Sequence, residues 1–104
     1  RVVRDNPHSM AGWLGFGWCL KRLGQLSEAI TVLADGMNYC DNQPALAYNL
    51  SCYHSLAGNI HAAIEYLTKA IASDDRFRSL TSCESDFDAI RNDPRFVAVI
   101  EQPV

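Results

Sequence analysis

A pattern of residues that recurs once along the chain is the sequence feature that most constrains its fold. Gly24 and Gly58 are 34 positions apart, and several flanking residues keep the same offset. The identities at that offset are Ala29 with Ala63, Ile30 with Ile64, and Leu33 with Leu67. A fixed period of this length is typical of repeat architectures, in which stacked units bury a shared core.

Each copy of the period predicts two helices joined at its glycine. Apolar residues recur three or four positions apart over 10–22 and 26–38, and again over 44–56 and 60–71. Gly24 and Gly58 supply the positive φ that ends a helix, Pro44 suits a first helical turn, and Asn59 is a plausible N-cap. Small residues are expected to let the helix backbones approach closely: Gly17, Ala29, Ser51, Ala63 and Ala70.

The pattern changes after residue 77, and the end of the chain predicts a helical cap. Asp93 and Pro94 form a helix start, and Ser85 or Asp86 is placed to cap a shorter turn before it. Six apolar residues are expected to face the core: Leu80, Phe87, Ile90, Phe96, Val97 and Ile100. Because the last repeat of an array exposes an apolar end, we interpret residues 78–101 as its cap.

Two segments carry a resemblance to the tetratricopeptide repeat family, GWLGFGWCLKRLGQLSEAITVLADGM and, more closely, AYNLSCYHSLAGNIHAAIEYLTKAI. The resemblance implies an all-α fold, an α-α superhelix of stacked antiparallel helix hairpins. It divides the chain into a first repeat at 10–43, a second at 44–77 and the cap, with residues 1–8 as the tail of a preceding repeat or a linker. Gly36 stands where the family usually has Ala, and Asp41 and Asp75 stand where it usually has Pro. The ending DFDAIRNDPRF is similar to that of many bacterial members, so a bacterial, cytoplasmic protein is expected.

The resemblance also implies a protein-interaction scaffold whose first helix in each repeat lines a concave groove. The expected partner-binding residues are Leu14, Trp18, Arg22, Tyr48, Asn49 and Cys52. Trp18 and Tyr48 are the leading candidates, because aromatic side chains are enriched at binding hot spots. Asn49 is a candidate for binding a peptide backbone, and it is also a common scaffold residue in the family. Leu14 and Trp18 stand where a carboxylate clamp of the family would need Lys and Asn, so the groove is expected to suit a helix or an apolar peptide.

Two alternatives stay open at this point. Trp18 could pack against the N-terminal segment or an upstream helix. The chain could also be a self-associating structural module, in which the face of the first repeat pairs with another copy and buries Leu14, Phe16 and Trp18. The chain does not begin with Met, so an upstream signal or further repeats are left open.

Composition and charge argue against several other classes of protein. The chain is 48% hydrophobic with a net charge of −3 and no basic stripe, so we expect neither nucleic acid nor an anionic membrane as a partner. No apolar run approaches the roughly 20 residues of a membrane span. The four cysteines are irregularly spaced, and they are expected to be reduced thiols packed as small apolar side chains rather than metal ligands.

The sequence indicates a protein that is not an enzyme and needs no cofactor. Asp86, Asp88 and Asp93 are the obvious carboxylates for acid-base chemistry, but their Ser, Phe and Pro neighbours are typical of helix capping. Cys52 and His54 are two residues apart and should point to different faces of a helix.

Overall fold

The computed structural model describes residues 8–40 and 43–101 and contains no strand within them. The α-helices in these two ranges are α1 (Met10–Arg22), α2 (Leu26–Tyr39), α3 (Pro44–Ala57), α4 (Ile60–Ser73), α5 (Arg76–Leu80) and α6 (Pro94–Glu101). Two 3₁₀ helices, Thr81–Cys83 and Ser85–Ile90, lie between α5 and α6. The all-α prediction is confirmed. The expectations for Asp41 and for nearly all of the segment 1–8 concern residues outside the described part.

Both hairpins turn at a glycine in the left-handed region, as predicted. Gly24 has φ of 80° and Gly58 has φ of 84°. The residue after each glycine donates its backbone N–H to a carbonyl in the last helical turn, Gln25 to Leu20 and Asn59 to His54, both at 2.9 Å. This bond is characteristic of the Schellman motif, and its recurrence at the offset of the repeat makes the two turns copies of each other.

The core lies around α3, which packs against α2 of the first hairpin and against α4 of its own hairpin. The small residues expected at close helix contacts are all buried. Ser51 also donates a hydrogen bond of 2.6 Å to the backbone oxygen of Ala63, which fastens α3 to α4. A larger side chain at these positions would force the helix backbones apart.

The glycine at position 36, where the resemblance would place alanine, has a packing explanation. A Cβ atom at Gly36 would lie 2.7 Å from Cγ of Trp13. The Trp13 ring stacks on Tyr39 with its centroid 5.6 Å away, so α1 and α2 meet through two large aromatic rings. Glycine at this position therefore leaves room for the indole.

Three leucines at the ends of helices are exposed to solvent, and one of them, Leu80, was expected to face the core. Leu23 and Leu56 are exposed at the C-terminal ends of α1 and α3, beside the glycine turns. Leu80 is 50% exposed, because it ends a helix of five residues that turns directly into a 3₁₀ helix. In contrast, Phe87 and Phe96 of the cap are buried as predicted.

The capping predictions have mixed outcomes. The Asp93 carboxylate accepts the backbone N–H of Arg95 at 2.9 Å, so Asp93 caps α6 as predicted. Glu84, rather than Ser85 or Asp86, caps the second 3₁₀ helix by accepting the backbone N–H of Asp86. Asn59 stands at the N-cap position of α4 without a side-chain capping bond, because its amide group lies against the His54 ring instead.

Candidate functional site

The first helix of the second repeat does not face an open groove, because the chain covers it with its own cap. The covered surface, here called the α3 face, consists of Tyr48, Cys52 and Ser55. Tyr48 is 7% exposed and Cys52 is 2% exposed. The Phe87 ring packs edge-on against the Tyr48 ring at a centroid distance of 5.8 Å. The covering element is the 3₁₀ helix Ser85–Ile90, here called the cap segment.

Asp86 attaches the cap segment to both repeats through two polar contacts. The Lys21 ammonium donates to the Asp86 carboxylate at 2.9 Å, and the Ser55 hydroxyl donates to the Asp86 backbone oxygen at 2.7 Å. Lys21 and Ser55 occupy equivalent positions of the two repeats, because they are separated by the same offset as Gly24 and Gly58. Sequence reasoning missed both contacts, although the period itself places these two side chains on the same side of the stack.

The buried hydroxyl and thiol of the α3 face are held in their neutral forms. Burial raises the pKa of the Cys52 thiol above its usual range, and the nearby carboxylates of Glu84 and Asp86 raise it further. Burial likewise raises the pKa of the Tyr48 hydroxyl. A thiol with a raised pKa is a poor nucleophile at neutral pH, because the thiolate is the reactive form.

Within the described residues, one group of thiol and carboxylate atoms is compact enough to consider as a metal site. Ligand atoms of Cys52, Glu84 and Asp86 lie within 4.8 Å of one another. Glu84 already accepts the backbone N–H of Asp86, and Asp86 already binds the Lys21 ammonium. Since the Lys21 cation already pairs with Asp86 and Glu84 already caps the cap segment, we interpret these residues as the attachment of the cap rather than as metal ligands.

The other carboxylates considered for catalysis also have structural partners. Asp88 pairs with Arg91 at 3.2 Å. Asp93 pairs with Arg95, whose side-chain hydrogen bond and backbone N–H hold the pKa of that carboxyl below its usual range. The His54 ring stacks on Tyr66 of α4 with its centroid 5.6 Å away, outside the α3 face.

The first helix of the first repeat presents the surface that stays open. This surface, here called the α1 face, consists of Leu14, Trp18 and Arg22. Leu14 is half-buried, Trp18 is 51% exposed, and the Arg22 guanidinium carbon lies 4.8 Å from the centroid of the Trp18 ring. Trp18 and Arg22 line an open depression of about 310 Å³ at the end of α1.

Asn49 and the two exposed cysteines complete the set of residues considered from sequence. The Asn49 side-chain amide donates to the backbone oxygen of Ala45 at 2.9 Å, which ties it to its own helix. Cys40 and Cys52 are buried, but Cys19 and Cys83 are exposed, so the expectation that all four thiols pack as small apolar side chains is wrong for two of them.

The stacked helical hairpins define a helical repeat protein. Residues 44–76 match the family model of the tetratricopeptide repeat, so the chain carries a repeat of this family there, within a helical arrangement that also includes α1 and α2. No match was found among curated proteins or among solved structures. A repeat of this kind suggests a protein-protein interaction module, and the family is typically a non-catalytic scaffold.

None of the described helices combines the length and apolar character that crossing a membrane requires.

Proposed function

We propose that this chain is a protein-interaction module that binds a segment of a partner protein on its α1 face. The observation that carries the proposal is the exposure of Trp18, which is 51% accessible although the equivalent position of the second repeat, Cys52, is 2% accessible. An indole that stays open next to a closed face is available for burial by a partner, and tryptophan is enriched among residues that dominate binding energy.

The α3 face is not part of the proposed binding surface. Tyr48 and Cys52 are buried beneath the cap segment, so we propose no partner contact for them. The proposed binding residues are therefore Leu14, Trp18 and Arg22.

The test compares partner capture by the unmodified chain, by Trp18→Ala and by Leu80→Ala. Leu80 is a suitable control because it is 50% exposed, almost the same as Trp18, and lies in the cap. Proteins cross-linked to each folded variant are identified by mass spectrometry. The proposal expects Trp18→Ala to lose a partner that Leu80→Ala retains, and equal recovery by all three proteins contradicts it.

Self-association is the second candidate, since Trp18 and Leu23 expose apolar surface at the same end of α1. Light scattering over a wide concentration range separates the two functions. A dimer that Trp18→Ala dissociates supports self-association, and a monomer throughout that range excludes it.

A further inference from the structure

We infer that the α1 face recognises a partner segment in which an acidic side chain is adjacent to an apolar one, with Arg22 binding the carboxylate and Trp18 covering the apolar group. This inference rests on the proposed function and names the chemistry of the partner.

Most arginines in the described part of the chain are paired with a carboxylate. Arg76, Arg78, Arg91 and Arg95 each form an ion pair with an aspartate. Among the arginines in the described part of the chain, Arg22 is the one for which no carboxylate partner is found. Its N–H groups are therefore available to a carboxylate from outside the chain.

The guanidinium of Arg22 is held beside the indole of Trp18. Arg22 is exposed, and its central carbon lies 4.8 Å from the centroid of the Trp18 ring. Contact with an aromatic face restrains the arginine side chain, so less conformational entropy is lost when it binds a carboxylate. A planar guanidinium can donate two parallel hydrogen bonds to one carboxylate, which lysine cannot do.

Helix α1 already binds a carboxylate that is followed by an apolar residue, within the chain itself. Lys21, the residue before Arg22, holds the Asp86 carboxylate at 2.9 Å, and the next residue, Phe87, is buried in an aromatic cluster. The cap segment thus brings an acidic and an apolar side chain to the α3 face together. The α1 face, with an indole and a guanidinium that has no carboxylate partner among the described residues, offers the same pair of contacts to a segment from another chain.

Charge and size limit the partner further. The chain has a net charge of −3, so acidic partners are not attracted over long distances, and recognition depends on the local contact with Arg22. The α1 helix has 13 residues and is therefore about 20 Å long, which corresponds to roughly six residues of extended peptide. We therefore expect a short segment.

Arg22 also has a structural role that the experiment must separate from binding. It lies in the last turn of α1, where a positive charge stabilises the helix dipole. Arg22→Lys keeps the positive charge but loses the planar guanidinium, whereas Arg22→Gln loses both. The matched control is Lys69→Gln, which removes a different exposed cation next to an aromatic ring, that of Tyr66.

The experiment measures binding of N-acetylated, C-amidated hexapeptide pools by NMR shifts of the Trp18 indole N–H. One pool, the acidic pool, combines Asp or Glu with Leu or Phe, and a second, the amide pool, has Asn or Gln in place of the acids. The amide pool is also prepared with a free carboxylate at its C-terminus. We expect the acidic pool to bind about tenfold more tightly than the amide pool, and the difference to shrink in high salt. Arg22→Gln should weaken the acidic pool about tenfold, Arg22→Lys by less, and Lys69→Gln should leave it unchanged.

Four results overturn the inference. They are equal binding of the two pools, an unchanged affinity in Arg22→Gln, no binding of either pool at millimolar concentration, and binding of the amide pool that appears only when its C-terminal carboxylate is left free. The last result would assign the site to a chain terminus. If Trp18→Ala still loses a captured partner while any of these results is obtained, the proposed function holds and only the partner chemistry is wrong.

Discussion

Replacing Phe87 by alanine tests whether the cap segment is an integral part of the fold. The Phe87 side chain is fully buried, and its ring contacts Tyr48 of α3 and Phe96 of α6 at centroid distances of 5.8 and 5.4 Å. Truncating a buried phenylalanine to alanine costs about 3–5 kcal/mol, since it removes apolar contacts and leaves a cavity. We expect Phe87→Ala to lose that amount of unfolding free energy.

The control for this variant is Leu80→Ala, in the same cap. From sequence both residues belong to one set of apolar positions, but Leu80 is 50% exposed. A half-exposed leucine contributes less than full burial, so the expected loss is about 1 kcal/mol or less. The two variants therefore differ by roughly 2 kcal/mol or more, which is larger than the usual error of a denaturation measurement.

Urea unfolding followed by circular dichroism measures both values. With a slope of roughly 1.5 kcal/mol per M, Phe87→Ala should lower the midpoint by about 2 M or more, and Leu80→Ala by less than about 1 M. Equal losses for the two variants, or a loss below about 1 kcal/mol for Phe87→Ala, would refute the placement of the cap segment on α3.

Two further predictions follow from the same contacts. In alkylation at pH 9, the exposed thiols of Cys19 and Cys83 should react quickly and the thiol of Cys52 slowly, because burial raises the pKa of Cys52 and keeps its thiol protonated. Mass spectrometry of the peptides measures the order of reaction, and fast reaction of Cys52 in the folded protein contradicts the prediction. A double-mutant cycle with Lys21→Met and Asp86→Asn, measured by unfolding at low salt, should give a coupling energy of roughly 1–2 kcal/mol for the ion pair, whose atoms are 2.9 Å apart. If the losses of unfolding free energy in the two single variants simply add, the ion pair does not hold the cap segment.

The helical hairpins could be predicted from sequence because their signals are local. The glycine, the apolar stripe and the small residues of each hairpin all lie within one period, and each helix of the two repeats ends within two residues of the predicted position. The exposure of Leu80 could not be predicted in this way, since the short helix that carries it has no second copy to fix which side faces the core.

The candidate site was predictable only in part, because its closed half depends on contacts between distant residues. The period correctly places Tyr48 and Trp18 on the first helices of their repeats. Which of the two stays open is decided by the cap segment, and that segment is held by Lys21 from 65 residues away in the sequence. No local sequence pattern predicts a contact between residues so far apart in the chain.

The cap segment covers one of two equivalent positions in the repeats and leaves the other open. Trp18 and Cys52 occupy the same place in their repeats, yet one is exposed and the other is covered. The cap segment covers the α3 face, whereas Trp18 and Leu23 stay exposed at the end of α1. If the α1 face binds a partner as proposed, Trp18 is the residue expected to supply most of the binding energy, because tryptophan is enriched at binding hot spots.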